Sequence, residues 1–473
     1  MRAPRTLRPV TETTTERRDV RVAVVGGGIT GAAATFEATR HGVDVTLFDA
    51  GNGPGGRIAS SRFAGVDGVD RGADAFLARV PDAVRLATEV GIADELVHPE
   101  RVGAAVWYDR MHDIPEGLVL GVPGNPLALA RSGLLSMRGK ARAALEPFLP
   151  RTSLAPDSIG AFVRARFGDE VHERLVDALV GSIYATDTDR FSLAEMPQLA
   201  ALAGNRSLLL AARRVAAANA GTASSRAAPI FAAPPGGMVR LVEATIDAAR
   251  QAGAAVRSGV AATVEHAGED WTVDGERFDA VVLAIPPSAV AGTVAGLDAD
   301  LRDHLAGSES ADVVMLTMHV GDDQWSEAWN GRSGYLVPKP VQRDVTAVSF
   351  ASQKWARWAP PAGGQILRVS LGRDGAPVLH HSDETLVDLA ISDLRRHLGT
   401  EFTPLDVRID RWPGAFAQYR PHHRAWVDSV RAGLPTGLHV AGAGFDGIGI
   451  PACVRSGRTI AERAVASAGS LRS

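Results

Sequence analysis

The chain has little of several residue types that define protein classes by themselves. It contains a single cysteine, Cys453, among 473 residues. One cysteine excludes an internal disulfide and a metal cluster held by cysteine alone, and it suits a reducing compartment. Three of the 50 basic residues are lysines, which we attribute to genome composition, and aromatic residues make up 5%.

The chain also lacks an excess of basic charge and long apolar runs. Its 50 basic and 54 acidic residues give a net charge of −4, which argues against nucleic acid as a partner. No apolar run approaches the ~20 residues of a transmembrane helix. Residues 1–19 have no apolar region of a secretion signal, so we expect a disordered arm and a cytoplasmic protein.

A βαβ unit is present near the start of the chain. Val22 to Val25 is an apolar run suited to a buried parallel strand, and Val43 to Phe48 is a second such run. Ile29 to Arg40, between them, is rich in small residues, as in a closely packed helix. The sequence therefore predicts strand, helix and strand in register.

The turn between the first strand and the helix carries a Gly-x-Gly-x-x-Gly motif. Gly26 permits a tight turn, Gly28 leaves room for a pyrophosphate, and Gly31 lets the helix pack on the strand. The helix N-terminus then faces the phosphates with the positive end of its dipole. Asp49 ends the second strand, where a carboxylate accepts hydrogen bonds from a ribose, so the unit predicts dinucleotide binding.

The next segment favours FAD over NAD. Gly55-Gly56-Arg57 follows where an NAD domain would continue with a third strand and helix. The glycine pair and the arginine resemble the second pyrophosphate contact of glutathione reductase-like flavoproteins, in particular their amine oxidase and phytoene desaturase branch. A guanidinium there neutralises a pyrophosphate that stays bound, so FAD is expected as a fixed prosthetic group. That the FAD is held non-covalently is what the resemblance implies.

Two later segments are expected to return to the same domain. A helix opening at Gly236 leads to a buried strand that ends at Pro286, and Leu438 to Pro451 has the pattern of strand, glycine-rich loop and helix start.

The predicted fold is α/β: a discontinuous, Rossmann-type FAD-binding domain with an α+β substrate domain and a helical insertion, in an amine oxidase-like architecture. The expected division of the chain is a disordered arm at 1–19, a first FAD-binding segment at 20–80, a helical insertion at 81–233, a second FAD-binding segment at 234–290, a substrate sheet and helix at 291–404, a third FAD-binding segment at 405–465, and a tail at 466–473.

Several strings resemble one family over about Arg21 to Val465. They are GVDRGADAFLAR, PEGLVLGVP, RFGDEVHERLVDALVGSIYATD, SQKWARW, RWPGAFAQY and GIGIPACVRSG. They are similar to the oxygen-dependent coproporphyrinogen III oxidase and protoporphyrinogen oxidase family, in its bacterial coproporphyrin branch. The resemblance implies six-electron oxidation of coproporphyrinogen III to coproporphyrin III in haem biosynthesis, with dioxygen reduced to hydrogen peroxide. It also implies transient contact with a ferrochelatase, and it leaves open peripheral association with a membrane surface.

The resemblance also assigns residues. The cofactor-binding set that it implies is Gly26, Gly27, Gly28, Ile29, Thr30, Gly31, Asp49, Ala50, Gly56, Arg57, Gly72, Ala73, Asp74, Ala75, Ala261, Ala443, Ile448, Gly449 and Ile450. The substrate-side set is Arg79, Tyr184, Thr186, Tyr335, Lys354 and His423. No catalytic side chain and no metal site are expected, because the flavin supplies the redox chemistry and His422-His423 does not have the spacing of converging ligands.

Other functions stay open at this point. Thr186, Gln353 and Pro421 depart from the substrate-side motifs, which leaves room for a paralogue acting on another reduced polycyclic substrate. Protoporphyrinogen IX oxidation, an amine oxidase or carotenoid-type desaturase, and a non-enzymatic flavin-containing porphyrin carrier are the remaining alternatives.

Overall fold

The computed structural model describes residues 20–153, 155–221, 229–268 and 270–470. The predicted disordered arm, 1–19, lies outside the described residues, as does the end of the predicted tail, 471–473. Residues 466–470, also assigned to the tail, belong instead to the last helix. Within these ranges no helix is both long and apolar enough to cross a bilayer.

The described strands are numbered β1 to β21 in chain order. They are β1 Arg21–Val25, β2 Asp44–Asp49, β3 Ser60–Phe63, β4 Val66–Asp70, β5 Phe76–Leu77, β6 Gly103–Trp107, β7 Met111–Asp113, β8 Leu118–Val119, β9 Val122–Pro123, β10 Phe231–Ala232, β11 Ala255–Ser258, β12 Val264–Ala267, β13 Asp270–Val273, β14 Glu276–Phe278, β15 Ala280–Leu283, β16 Ser310–Val320, β17 Arg332–Leu336, β18 Val345–Phe350, β19 Gln365–Leu371, β20 Asp406–Ala417 and β21 Leu438–Val440.

The described α-helices are numbered in the same way. They are α1 Ile29–Arg40, α2 Pro81–Glu89, α3 Pro126–Arg131, α4 Met137–Ala144, α5 Ile159–Phe167, α6 Asp169–Val171, α7 Ser182–Tyr184, α8 Pro197–Ala203, α9 Leu208–Gly221, α10 Val239–Gln251, α11 Pro287–Thr293, α12 Ala299–Ala306, α13 Ala351–Lys354, α14 Asp383–Leu398, α15 His423–Gly433 and α16 Ile450–Ser470. A π-helical segment, His172–Gly181, joins α6 to α7.

A five-stranded parallel sheet forms the first domain, in the order β11-β2-β1-β15-β21. Strand β1 is central: Val25 pairs with Phe48 on one side and with Leu283 on the other. The strands β1, β2 and β15 are buried on both faces, which explains their nearly unbroken apolar sequences. The predicted βαβ unit and the FAD-domain architecture are confirmed.

Helices α1 and α16 pack closely against one face of this sheet. The alanines of α1 at positions 32, 33, 34 and 38 are fully buried. A Cβ on Gly457 of α16 would lie 2.2 Å from the Thr30 carbonyl oxygen, so glycine is required where the helices approach. Small residues on both helices therefore set the close contact between the beginning and the end of the chain.

The second sheet has seven strands in the order β20-β16-β19-β18-β17-β6-β7. Alternate residues of β16, such as Val314 and Leu316, are buried against helix α14. The pairings of β20 with β16 and of β6 with β17 shift two expected boundaries. Residues 406–417 belong to this sheet and not to the third FAD-binding segment, and 103–113 join it from within the helical insertion.

The helical insertion has its own core, built around a buried ion pair. Its helices α5, α8 and α9 surround Glu146 and Arg166, which are 0% and 1% exposed in their side chains. The sequence pattern of Leu127 to Leu135 predicts a helix, but the observed α3 ends at Arg131 because Ser132 is extended. The Ala-, Ser- and Arg-rich composition of Ala211 to Ala228 predicts a mobile stretch. That stretch is helical to Gly221, and its remainder, 222–228, lies outside the described residues.

Candidate functional site

A cavity of about 990 Å³ lies where the two sheets and the helical insertion meet. One half is lined by the glycine-rich turns of the first domain, and the other by the seven-stranded sheet. Both halves belong to one continuous space. A ligand held by the glycine turns would thus reach a second ligand lying on the sheet.

Two glycine-rich segments lie side by side in the first half. Gly55 donates its N–H to the Gly27 carbonyl oxygen over 2.9 Å, and Gly28 and Gly55 form a parallel bridge. Asp49 fixes the first turn: its Oδ2 accepts from the Gly27 N–H and its Oδ1 from the Gly51 N–H. Asp49 therefore holds the turn in place while also lining the cavity.

The residues of this half fit an FAD pyrophosphate. A Cβ on Gly28 would meet nothing nearer than the Gly55 carbonyl oxygen at 3.9 Å, so the space above this glycine is open. The N-cap of α1 makes no side-chain hydrogen bond, which leaves the first-turn N–H groups for a bound anion. Arg57 is a half-buried cation on the wall with no carboxylate partner among the described residues, and its partial burial lowers its pKa. A bound anion would fill the open space above Gly28, accept hydrogen bonds from the first-turn N–H groups of α1 and pair with Arg57.

We expect Arg57→Gln to weaken FAD binding about 10- to 100-fold, the worth of one charged hydrogen bond. The apoprotein of the variant should be at least as stable as the apoprotein of the original protein, because a half-buried cation without a counter-ion is removed. Flavin retention through dilution and thermal unfolding of the apoprotein check both expectations. Unchanged FAD affinity would show that Arg57 does not meet the cofactor.

The second half of the cavity has a flat floor. Met315, Ser370 and Ala347 are register neighbours on β16, β19 and β18, and all three line the cavity. Gly181, Ser182 and Ala185, at the end of the π-helical segment, line it as well. Uncharged side chains on a sheet, opposed by the end of a helix, form a slot suited to a broad ring system.

Three charged residues stand on the wall of this half: Glu309, Arg373 and Arg420. Arg373 is held by the buried Asp177 through two 3.2 Å contacts and donates to the Thr186 carbonyl oxygen. Arg420 pairs with Glu309 and Asp374. The wall therefore combines two guanidinium groups with mostly apolar surroundings.

The cavity gathers most of the cofactor-binding residues expected from the sequence. Those on its wall are Gly26, Gly27, Gly28, Ile29, Thr30, Asp49, Gly56, Arg57, Gly72, Ala73, Ala443, Ile448 and Ile450. Those away from the wall are Gly31, Ala50, Asp74, Ala75, Ala261 and Gly449. Gly31 packs beneath the turn, where an added Cβ would lie 1.8 Å from the Gly26 carbonyl oxygen.

Of the six expected substrate residues, His423 alone lies on the cavity wall. Tyr335 is buried in the sheet core, 3.1 Å from His397, and Arg79 is away from the wall. Tyr184 packs against Phe191, and Thr186 is fully buried, facing the wall only indirectly through its carbonyl contact with Arg373. These side chains are separated from the slot by the layers in which they pack.

Lys354 is the clearest departure. Its Nζ lies 2.8 Å from Asp74 Oδ2, next to Arg368 and the Trp355 indole N–H. Burial opposes ionisation of Asp74, but Lys354 and Arg368 outweigh it and hold the pKa of that carboxyl well below its usual range. The lysine thus joins the second sheet to the first domain and does not line the cavity.

We therefore expect Lys354→Ala to lower the free energy of unfolding and to leave KM for substrate unaltered. Removing one partner of this half-buried pair should cost about 1 to 3 kcal/mol of unfolding free energy. Lys140→Ala is a matched control, because no ion pair of Lys140 exists among the described residues. A raised KM at unchanged stability would contradict the placement of Lys354.

His423 and Cys453, on the cavity wall, are both in their neutral forms. Burial lowers the pKa of His423 to about 4, and burial raises the pKa of Cys453 to about 11. His423 stacks between Tyr419 and Trp426, with ring centroids 4.0 and 5.4 Å away. Neither residue supplies charge to a ligand at neutral pH.

Buried histidines predict a loss of stability in mild acid. Burial lowers the pKa of His172, His397 and His439 to about 4, as for His423. The unfolded chain binds these protons near pH 6.5, so their stabilising effect is full above that pH and falls towards pH 4. We expect His439→Gln to flatten this fall, measured as urea unfolding of the apoprotein at pH 7.5 and 5. An equal fall in both proteins would contradict it.

Sequence reasoning missed several residues of this site. The cavity wall also includes Ala284 to Ala289, Glu309, Arg373, Gln418 and Arg420. The one local signal was Pro286, which ends a buried strand as in the first domain of flavoproteins of this class. The arginines carried no such signal in a chain with 50 basic residues, because their position depends on partners far away in sequence.

Comparison with known proteins shows which proteins this chain is similar to. The family described as flavin containing amine oxidoreductase matches residues 29–465. Coproporphyrinogen III oxidase of Mycobacterium bovis is 32% identical over 458 residues, covering 92% of this chain and 96% of that protein. The Bacillus subtilis protein of the same name is 28% identical over 457 residues, with the same coverage.

Solved structures agree with the sequence comparison. A putative protoporphyrinogen oxidase from Exiguobacterium sp. 255-15 superposes with a TM-score of 0.81 at 28% identity, over 94% of this chain and 98% of that chain. Cyclohexylamine oxidase from Brevibacterium oxydans shares the fold, with a TM-score of 0.63 at 18% identity, over 96% and 100% of the two chains.

Proposed function

We propose that this chain, which belongs to the family of flavin-containing amine oxidoreductases, oxidises coproporphyrinogen III to coproporphyrin III in haem biosynthesis. The protein is an oxidoreductase, and its cofactor is FAD. In the proposed reaction six hydrogens leave the substrate, and three molecules of dioxygen become three of hydrogen peroxide.

One observation carries the proposal: a single cavity joins the glycine cradle to a flat, sheet-floored slot. A small amine would leave most of such a slot empty, whereas a tetrapyrrole macrocycle would cover its floor of Met315, Ser370 and Ala347. The relatives named coproporphyrinogen III oxidase, with which the chain aligns over nearly its full length, support the same substrate.

FAD, when bound, accepts hydride from carbon, and this chain's residues hold the two partners together. Gly28 would leave room for the pyrophosphate, and Arg57 would balance part of its charge. Helix α16 begins at Ile450 on the cavity wall, so the positive end of its dipole faces the space in which the cofactor would lie. The apolar slot excludes water from the reacting carbon, and no side chain needs an altered proton affinity.

The preferred porphyrinogen follows from charge. Coproporphyrinogen carries two carboxylates more than protoporphyrinogen, so an arginine of the slot that meets one of these two adds about 1.5 to 3 kcal/mol. We expect kcat/KM to favour coproporphyrinogen at least about tenfold. Equal values for the two substrates would reassign the protein to protoporphyrinogen IX oxidation.

The test of the proposal is anaerobic mixing of the purified holoenzyme with coproporphyrinogen III. Loss of the flavin absorbance, followed on admission of air by coproporphyrin and hydrogen peroxide, is the expected result. A porphyrin carrier would bind coproporphyrin while its flavin stays oxidised, and that result would overturn the proposed oxidation.

The proposed location is the cytoplasm, with peripheral association at a membrane surface. Met137 and Phe148 of the helical insertion are 79% and 80% exposed, beside the exposed Arg138. Apolar side chains with a basic neighbour favour an anionic lipid surface. The proposed product, coproporphyrin III, requires a metal-inserting enzyme, and we propose transient contact with a ferrochelatase.

A further inference from the structure

We propose that Arg420 is the group that recognises a substrate carboxylate, and that it does so by exchanging Glu309 for that carboxylate. The inference rests on the proposed function and names a specificity-determining residue of the same site. It follows from the partners of the three arginines on the cavity wall, which differ in how readily they are released.

Two of these arginines are committed elsewhere. Arg57 belongs to the cofactor half, where the pyrophosphate is expected. Arg373 is 5% exposed in its side chain and its partner Asp177 is 1% exposed. Separating this buried pair would leave Arg373 as an uncompensated buried charge, and Asp177 with only a 3.8 Å contact to Lys339, so a substrate does not displace Asp177.

Arg420 differs because one of its two partners is exposed. Its guanidinium is held by Asp374 through contacts of 2.7 and 3.0 Å, and Asp374 is 8% exposed. Its Nη2 also lies 2.5 Å from Glu309, whose side chain is 47% exposed. An exposed contact is worth little, so Glu309 is the partner that is released.

The released carboxylate keeps a cation of its own. Arg190, on the helical insertion, already lies 2.9 Å from Glu309 and 3.1 Å from Asp374. The four side chains therefore divide into two complete pairs, Arg190 with Glu309 and Arg420 with Asp374. Nη2 of Arg420 keeps its contact with Asp374, and its second N–H, released by Glu309, is then free for an incoming carboxylate.

The three segments that carry this cluster meet at the slot. Glu309 precedes β16, Asp374 follows β19, and Arg420 follows β20, so all three extend from the sheet that forms the slot's floor. Glu309 and Arg420 line the cavity. A carboxylate on the edge of a flat ring lying on that floor reaches Arg420 without entering the buried network of Arg373.

Binding of coproporphyrin III to the oxidised holoenzyme tests the exchange, with coproporphyrin III tetramethyl ester as the uncharged probe. We expect Arg420→Gln to weaken binding of the acid about tenfold and to leave ester binding within about twofold. Glu309→Gln should tighten binding of the acid about threefold, since the competing carboxylate is lost. Asp383→Asn is the matched control, because it removes a similarly exposed partner from Arg411 away from the cavity.

The outcomes separate this inference from the proposed function. If Arg420→Gln weakens acid and ester alike, or neither, and Glu309→Gln leaves acid binding unchanged, the exchange is overturned while oxidation of coproporphyrinogen stands. If the original protein binds neither probe and does not oxidise coproporphyrinogen III, both fall. Glu309→Gln keeps the test valid should Arg420→Gln not fold, because Glu309 is exposed.

Discussion

Gly28→Val should yield a folded protein without flavin. At Gly28 the backbone has φ −70° and ψ 178°, which valine adopts without strain, and the added side chain enters open space. That space is where the pyrophosphate is expected, so FAD affinity should fall by more than about 100-fold. Absorbance scanning of the purified variant and its circular dichroism measure the two effects.

Gly31→Val should act differently, three residues further on. Its Cβ would lie 1.8 Å from the Gly26 carbonyl oxygen, so the turn itself must open and the fold is lost. Gly53→Val is the matched control, since nothing lies within 4 Å of a Cβ there. Full flavin occupancy in folded Gly28→Val would show that the pyrophosphate of the cofactor does not bind at this turn.

Among the substitutions of charged residues, Glu146→Gln should have the largest effect on stability. The Glu146 carboxylate accepts hydrogen bonds from the Arg166 guanidinium, the Ser207 hydroxyl and the N–H groups of Leu208 and Leu209. Without its charge, Arg166 is left in the core with no counter-ion, at a cost of about 3 to 5 kcal/mol. Thermal unfolding, with proteolysis of the helical insertion, measures the loss.

The double variant Glu146→Gln with Arg166→Met tests whether the unpaired charge of Arg166 causes the loss of stability. It removes both ions, so it should regain some of the stability lost in Glu146→Gln alone. Glu401→Gln breaks the exposed pair with Arg395 and should cost less than about 1 kcal/mol. A double variant less stable than Glu146→Gln would contradict an uncompensated charge as the cause.

The first domain was predictable because its signals are local. Strand, turn glycines, helix and terminal acid lie within residues 21–50, and each has a fixed spacing set by backbone geometry. The sequence pattern also predicts a strand over Gln365 to Leu371 and a helix over Asp383 to Leu398. Both match the observed bounds for the same reason, since period and capping are local properties.

The substrate side was not predictable in the same way. The family resemblance assigned Lys354 to the substrate side, yet its partner Asp74 is 280 residues away in sequence. No signal in the sequence identified Arg420, although three other segments of the chain bring two acids and a second arginine to it. Which cation faces a slot depends on pairings between distant segments, and no periodicity or spacing in one sequence records them.

The discontinuous first sheet also determines when a flavin site exists during biosynthesis. Val25 pairs with Leu283, and Leu283 pairs with Val440, so the ribosome must release almost the whole chain before β15 gains its second neighbour. Until then the nascent sheet exposes an apolar strand edge, a condition that favours aggregation and binding by chaperones. Cofactor insertion is thus a late event, and slower synthesis at low temperature should raise the yield of holoprotein.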